Sequence, residues 1–174
     1  MPNYRPVLLP GGRYFFTVAL ADRSSRLLFE QINSLRSALR IARKARPFVM
    51  DAIVVLPDHL HCIWTLPNGD SDLATRWAHV KTMFARHTES VNLLRASQTR
   101  RRERGIWQRR FWELLIRNDE DHRKHMDYIH FNPVKHGWAE SPAQWPYSSF
   151  RHFVARGVYA NDWGASSGNI SMVR

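Results

Sequence analysis

The 174 residues contain one cysteine, Cys62, so no internal disulfide can brace the chain, and the expected setting is a reducing cytoplasm. Long apolar runs are missing too. The longest aliphatic stretch, Ala52 to Leu56, falls far short of the roughly 20 residues that cross a bilayer. The opening Met-Pro-Asn-Tyr-Arg-Pro lacks the charged-then-apolar layout of a secretory signal. Acids are scarce: 15 Asp and Glu face 26 Lys and Arg, a formal net charge of +11. That surplus favours a polyanionic partner, nucleic acid ahead of an acidic membrane surface. What is present is enough for a core. A hydrophobic fraction of 44% with 12% aromatics excludes a disordered basic tail, and the length suits one domain.

The pattern along the chain changes period several times. RYFFTVAL, from Arg13 to Leu20, follows a Gly-Gly pair and is rich in β-branched and aromatic residues, which predicts a strand. From Arg26 to Arg46, Leu28, Ile32, Leu35, Leu39 and Ala42 recur at helical spacing, so one amphipathic helix is expected, stopped by Pro47. Phe48 to Leu56 and His59 to Leu66 are apolar runs separated by Pro57 and Asp58, the signature of an antiparallel pair. Asp70-Ser71-Asp72 opens a second helix carrying Leu73, Trp77, Val80, Phe84 and Val91. Phe111 to Arg117 is compatible with a fourth strand. Asn118 and the acidic turn Asp119-Glu120-Asp121 then start a third helix, expected to end near Pro133 or Gly137.

The order of strand, helix, strand, strand, helix, strand and a further helix gives an α+β fold class: a ferredoxin-like βαββαβ antiparallel sheet with an additional C-terminal helix. Both crossover helices cover one face of such a sheet, leaving the other for the third helix or a ligand. Residues 1–150 form the expected domain. Residues 151–174 are expected to be a tail, flexible or regulatory, which from Gly157 onward either lies across or near the site or is a disordered end with one or two packed rings.

Two clusters carry chemistry. In the strand from His59, alternation puts His59 and His61 on one face with α-carbons about 7 Å apart, close enough to share a divalent ion. Two hydrogen-bonded polar residues would give the same triplet. On the third helix Tyr128 and Asn132 are one turn apart on a shared face. They read either as a nucleophile with an amide ligand or as a half-buried aromatic with an Asn that ends the helix. A third feature is RASQTRRRERGIWQRR, from Arg95 to Arg110, with seven arginines and one acid, Glu103. Arg100, Arg101, Arg102, Arg104, Arg109 and Arg110 are candidate phosphate contacts. Trp107, Phe111 and Trp112, beside Arg109 and Arg110, are candidates for stacking on unpaired bases; core is the favoured reading for Phe111 and Trp112, and Trp107, flanked by charge, is the better stacking candidate.

Over roughly Gly12 to Phe150 the sequence resembles the REP-associated tyrosine transposases, a branch of the single-tyrosine HUH transposases. The resemblance rests on GRYFFTVAL, VLPDHLHCIWTLP, FWELLIRNDEDHRKHMDYIHFNPVKHG and WPYSSF. It implies a ferredoxin-like nuclease domain that cuts and rejoins single-stranded DNA through a covalent 5′-phosphotyrosine, with short palindromes folded as REP hairpins for its partner. By position, Tyr128 is similar to the family nucleophile, carried on the catalytic helix. His59 and His61 match the metal ligands, and Asn132 the third ligand, where insertion-sequence relatives usually carry glutamine. Mg²⁺ or Mn²⁺ is the implied cofactor, and a monomer the implied state. A non-catalytic hairpin-binding protein and a water-using metal-dependent phosphodiesterase are the competing readings.

Overall fold

The computed structural model describes residues 8–89 and 105–165. Four strands, β1 (Arg13–Ala19), β2 (Val49–Val55), β3 (His59–Thr65) and β4 (Trp112–Leu115), form one antiparallel sheet in the order β2-β3-β1-β4. This is the ferredoxin-like order that the alternation of periods predicts. Five helices accompany it: α1 (Leu27–Glu30), α2 (Ile32–Ala45), α3 (Leu73–Glu89), α4 (Asp119–Lys135) and α5 (Phe150–Ala155).

The sheet is buried on both faces, so it has two cores. Tyr14, Phe16 and Val18 of β1 and Leu60, Cys62 and Trp64 of β3 pack against Leu35, Ala38 and Ala42 of α2 and Trp77, Val80 and Phe84 of α3. Alternation sends Phe15, Ile63, Ala52 and Val54 to the opposite face, against Met126 and Ile129 of α4 and Trp145. A bulge between Met50 and Ala52 keeps β2 in step with β3. The β2 edge is closed by the segment ahead of α5: Val55 N–H donates to Tyr147 O at 2.8 Å and Ser149 N–H to Ile53 O at 2.9 Å. Arg76 of α3 is fully buried and anchors the loop before it, donating to both Asp70 carboxylate oxygens, Asp72 O and Pro47 O.

Several expectations need correction. The single helix from Arg26 to Arg46 is broken at Gln31, because the Pro57 carbonyl in the β2–β3 turn takes the Leu28 N–H and fixes α1 there. Helix α4 ends where expected, at Lys135 between Pro133 and Gly137, running through the proline. The proline removes one donor only in the last turn, which closes with Gly137 N–H on Val134 O and Trp138 N–H on Pro133 O. Gly137 accepts the left-handed φ of +71° that this ending requires.

Residues 151–165 are not a loose tail. Phe150 is fully buried, and Tyr159 stacks among His130, Phe150 and Trp163 while donating to Asp127 Oδ1 at 2.7 Å. Trp163 reaches Phe131. Asp127 and His130 lie on the side of α4 away from the face that carries Tyr128 and Asn132, and Phe131 flanks that face, by helical spacing. The segment to Ala165 therefore braces the back of α4 rather than crossing the site, and a boundary at residue 150 cuts through this packing. Val91 and residues 166–174 lie outside the described residues.

Candidate active site

Helix α4 is set across the sheet by its own termini. Asn118 caps it, its side chain accepting from Asp121 N–H at 2.8 Å, and the acidic first turn suits the positive end of the helix dipole. The other end delivers Asn132, Lys135 and His136 toward the mouth of strand β3.

Tyr128 comes down edge-on to His61, with ring centroids 5.3 Å apart, and the His61 and His59 rings are 5.0 Å apart. Phe15 supports both partners, stacked on His61 at 5.5 Å and edge-on to Tyr128 at 5.8 Å. Three residues singled out in the sequence are thus brought together. Asn132, one turn further along α4, is fully buried and neither its Oδ1 nor its Nδ2 has a hydrogen-bond partner. The same holds for His61 Nε2. Buried polar atoms are ordinarily satisfied, and the unpaired Asn132 Oδ1 of α4 and His61 Nε2 of β3 are atom types that can coordinate a cation. Among the described residues no three His, Cys, Asp or Glu side chains are grouped to hold a metal.

The imidazoles are held neutral, the state in which nitrogen can coordinate. Burial drives the His61 pKa down to about 3, helped by positive charge at His59, His136 and Lys135. Burial also lowers that of His59, opposed by the Asp58 carboxylate. That carboxylate fixes the His59 ring: Asp58 Oδ1 lies 2.8 Å from Nδ1 and can only accept, so Nδ1 carries the proton. Arg23 Nη2, 3.3 Å from the same nitrogen, is then a close approach between donors, and its Nε holds Asp58 Oδ2 at 2.7 Å. The polar partner of His61 is Thr17, whose Oγ1 is 2.8 Å from Nδ1.

These supports were not visible in the sequence, nor were two residues of the last α4 turn. Lys135 Nζ stands 4.8 Å from the Tyr128 ring centroid, and His136 is 5.6 Å from His59. The string Lys135-His136-Gly137 at a helix end carried the signal, since basic residues before a C-terminal glycine sit in the last turn.

The DNA-contact candidates divide. Arg109 and Arg110 are exposed just ahead of β4, while Arg100, Arg101, Arg102 and Arg104 lie outside the described residues. The burial of the two tryptophans differs from the favoured reading. Trp107 bridges to Leu20 and packs edge-on against Phe84 at 5.2 Å beside the α3 core. Trp112, for which core was the favoured reading, is 55% exposed on the edge strand β4, where it pairs with Thr17. Phe111 packs on Trp77 and Phe16, as expected for core.

No family model matches the chain. It is 47% identical over 163 residues to the REP-associated tyrosine transposase of Escherichia coli (strain K12), covering 94% of this chain and 91% of that protein. A Haemophilus influenzae protein given the same family name is 46% identical over 167 residues, covering 95% of each. Among solved structures, a REP-associated tyrosine transposase bound to a REP hairpin superposes with a TM-score of 0.83 at 45% identity, covering 100% of this chain and 98% of the other.

Proposed function

The chain belongs to the REP-associated tyrosine transposases, and from that we propose that it binds REP-type DNA hairpins and cuts and rejoins single-stranded DNA beside them through Tyr128. The observation that carries this reading is the approach of Tyr128 to His61 and His59 across the sheet face. A tyrosine beside a neutral histidine pair is the arrangement a phosphotyrosine mechanism needs.

In the cleavage step the Tyr128 oxygen attacks phosphorus and loses its proton. The bond from phosphorus to O3′ breaks, and O3′ leaves as a hydroxyl after taking up a proton. The product is a 5′-phosphotyrosine, and attack by another 3′-hydroxyl reverses the step with Tyr128 as the leaving group. The diester bond is exchanged rather than hydrolysed, so no carboxylate is required to activate water. His59, His61 and Asn132 would hold Mg²⁺ or Mn²⁺, which when bound supplies charge neutralisation at a phosphate oxygen. Lys135, whose Nζ is 4.8 Å from the Tyr128 ring centroid, would add a positive charge beside the attacked phosphate. Phe15 keeps the tyrosine and histidine rings at a set separation.

The net charge of +11 and the exposed Arg109 and Arg110 support DNA as the polyanion. No helix among the described residues is long and apolar enough to cross a membrane. The test is a denaturing gel of the protein incubated with end-labelled single-stranded DNA carrying a REP hairpin and Mn²⁺. A protein-linked label is the expected result. Free cleaved product without it would point to a water-using phosphodiesterase, and intact DNA to a protein that only binds.

A further inference from the structure

At the β2 edge, on the α2 side of the sheet, helix α2 and the segment 146–149 enclose a groove of about 690 Å³. It has no part in the cleavage step, whose residues lie on the α4 side. Its floor is apolar, formed by Leu39, Phe48, Met50, Ile53 and Tyr147, and all of these except Phe48 are only half-buried. The backbone beneath is already closed: Tyr147 O takes the Val55 N–H and Ile53 O takes the Ser149 N–H. An occupant is therefore held there by its side chains and not by adding a strand to the sheet.

One wall of the groove is basic. Arg36, Arg40, Arg43 and Lys44 of α2 line it, all exposed, and no carboxylate does. Among the described residues none of the four is in an ion pair. Arg36 and Arg40 bond to Asn33 and Ser37 on their own helix, neutral groups that leave the charge uncompensated. From Arg36 to Lys44 the helix rises about 12 Å, the length of about four residues of extended chain. The wall calls for carboxylates or phosphates, and the floor calls for aliphatic or aromatic side chains. Phosphates of DNA would answer the cations and bring nothing apolar to the floor. The segments 1–7, 90–104 and 166–174 of this chain carry one acidic side chain between them, Glu103, and so do not complement the wall.

We propose that this groove docks an acidic peptide segment of a partner protein. Its carboxylates face Arg36, Arg40, Arg43 and Lys44, and a bulky apolar side chain sits against Met50, Ile53 and Tyr147. Arginine clusters recognise acidic motifs in this way, and the buried apolar anchor supplies the specificity that charge alone lacks. The inference is independent of the reading of Tyr128, because the two sites occupy opposite faces of the sheet.

The test selects a phage-displayed library of random dodecapeptides against the full chain. Enriched sequences are expected to combine clustered Asp or Glu with Leu, Ile, Phe or Trp. A fluorescein-labelled representative is then measured by fluorescence anisotropy. Arg36→Ala with Arg40→Ala is expected to weaken it about 10-fold. Serine in place of its apolar residues should cost about 10-fold as well. Both arginines are exposed, so the double variant is expected to keep its Tm. Its affinity for REP-hairpin DNA should show an unchanged slope of log affinity against log salt. Absence of enrichment, or enriched peptides that bind the double variant equally well, overturns the proposal. A salt slope lowered by about 0.7 to 0.9 for each arginine assigns the wall to DNA and overturns it too. So does a dimer of the native chain in sedimentation velocity that the double variant fails to form, which gives the groove to a second copy.

Discussion

Thr17 Oγ1 and His61 Nδ1 meet at 2.8 Å between directly paired residues of β1 and β3. The contact gives His61 its polar partner on the side away from the unpaired Nε2. With the hydroxyl accepting from Nδ1–H, Nε2 is left bare to coordinate, and the Phe16 backbone also favours a proton on the ring. Thr17→Val is expected to weaken Mn²⁺ binding about 10- to 100-fold, with Thr17→Ser restoring most of it. Asp58→Ala should act the same way through His59. Electron paramagnetic resonance of free Mn²⁺ reads this without turnover, and an affinity unchanged in both variants would remove these residues from the metal site.

Tyr128→Phe deletes one oxygen and keeps the ring that packs on Phe15 and His61. Covalent attachment should fall below detection while hairpin affinity stays within about twofold, since phosphate contacts supply most of the attraction. An adduct formed by the phenylalanine variant would assign the nucleophile elsewhere.

Much of this site could be read from the chain because its signals are local. His59 and His61 share a face by strand period, Tyr128 and Asn132 by helical period, and Asn118 announces the start of α4. The supports were hidden because they depend on register: Thr17 meets His61 only through the β1–β3 pairing. The burial of the two tryptophans was hidden for a related reason. β4 is four residues long, too short for alternation to say which face is covered, and the bridge that fixes Trp107 on Phe84 joins segments far apart in sequence. Tyr159 and Trp163 dock without any period, so their irregular spacing looked like a loose end.

Replacing Arg100, Arg101 and Arg102 together with alanine is expected to weaken hairpin binding regardless of sequence. Every arginine withdrawn from a phosphate should lower the slope of log affinity against log salt by about 0.7 to 0.9. Fluorescence anisotropy between low and moderate salt measures it. An unchanged slope would mean these arginines do not touch DNA.

Arg76 has no part in the proposed chemistry and a large one in stability. Its guanidinium is buried, with bonds to the Asp70 carboxylate and to the Asp72 and Pro47 carbonyls. Arg76→Ala leaves these acceptors without their donor and should cost about 3–5 kcal/mol. Arg76→Lys should recover only part of that, because an ammonium cannot span the fork. Urea denaturation decides it, a loss below about 1 kcal/mol counting against the assignment.

Deleting the residues after Arg156 tests the brace behind the catalytic helix. The cut removes the Tyr159 hydroxyl from Asp127, exposes Phe150 and strips His130 and Phe131 of their aromatic cover. Taking away two packed aromatic rings and one hydrogen bond to a carboxylate should cost roughly 3–5 kcal/mol. For a domain of this size that lowers Tm by about 6–20 °C. Tyr159→Phe isolates the hydrogen bond and should cost about 1–2 kcal/mol, since Asp127 keeps some access to water. Cleavage should slow in step with stability, because α4 carries Tyr128 and Asn132 as well as the residues on which the segment packs. Faster cleavage with an unchanged Tm would instead show that the segment restrains the site and contributes nothing to holding the helix.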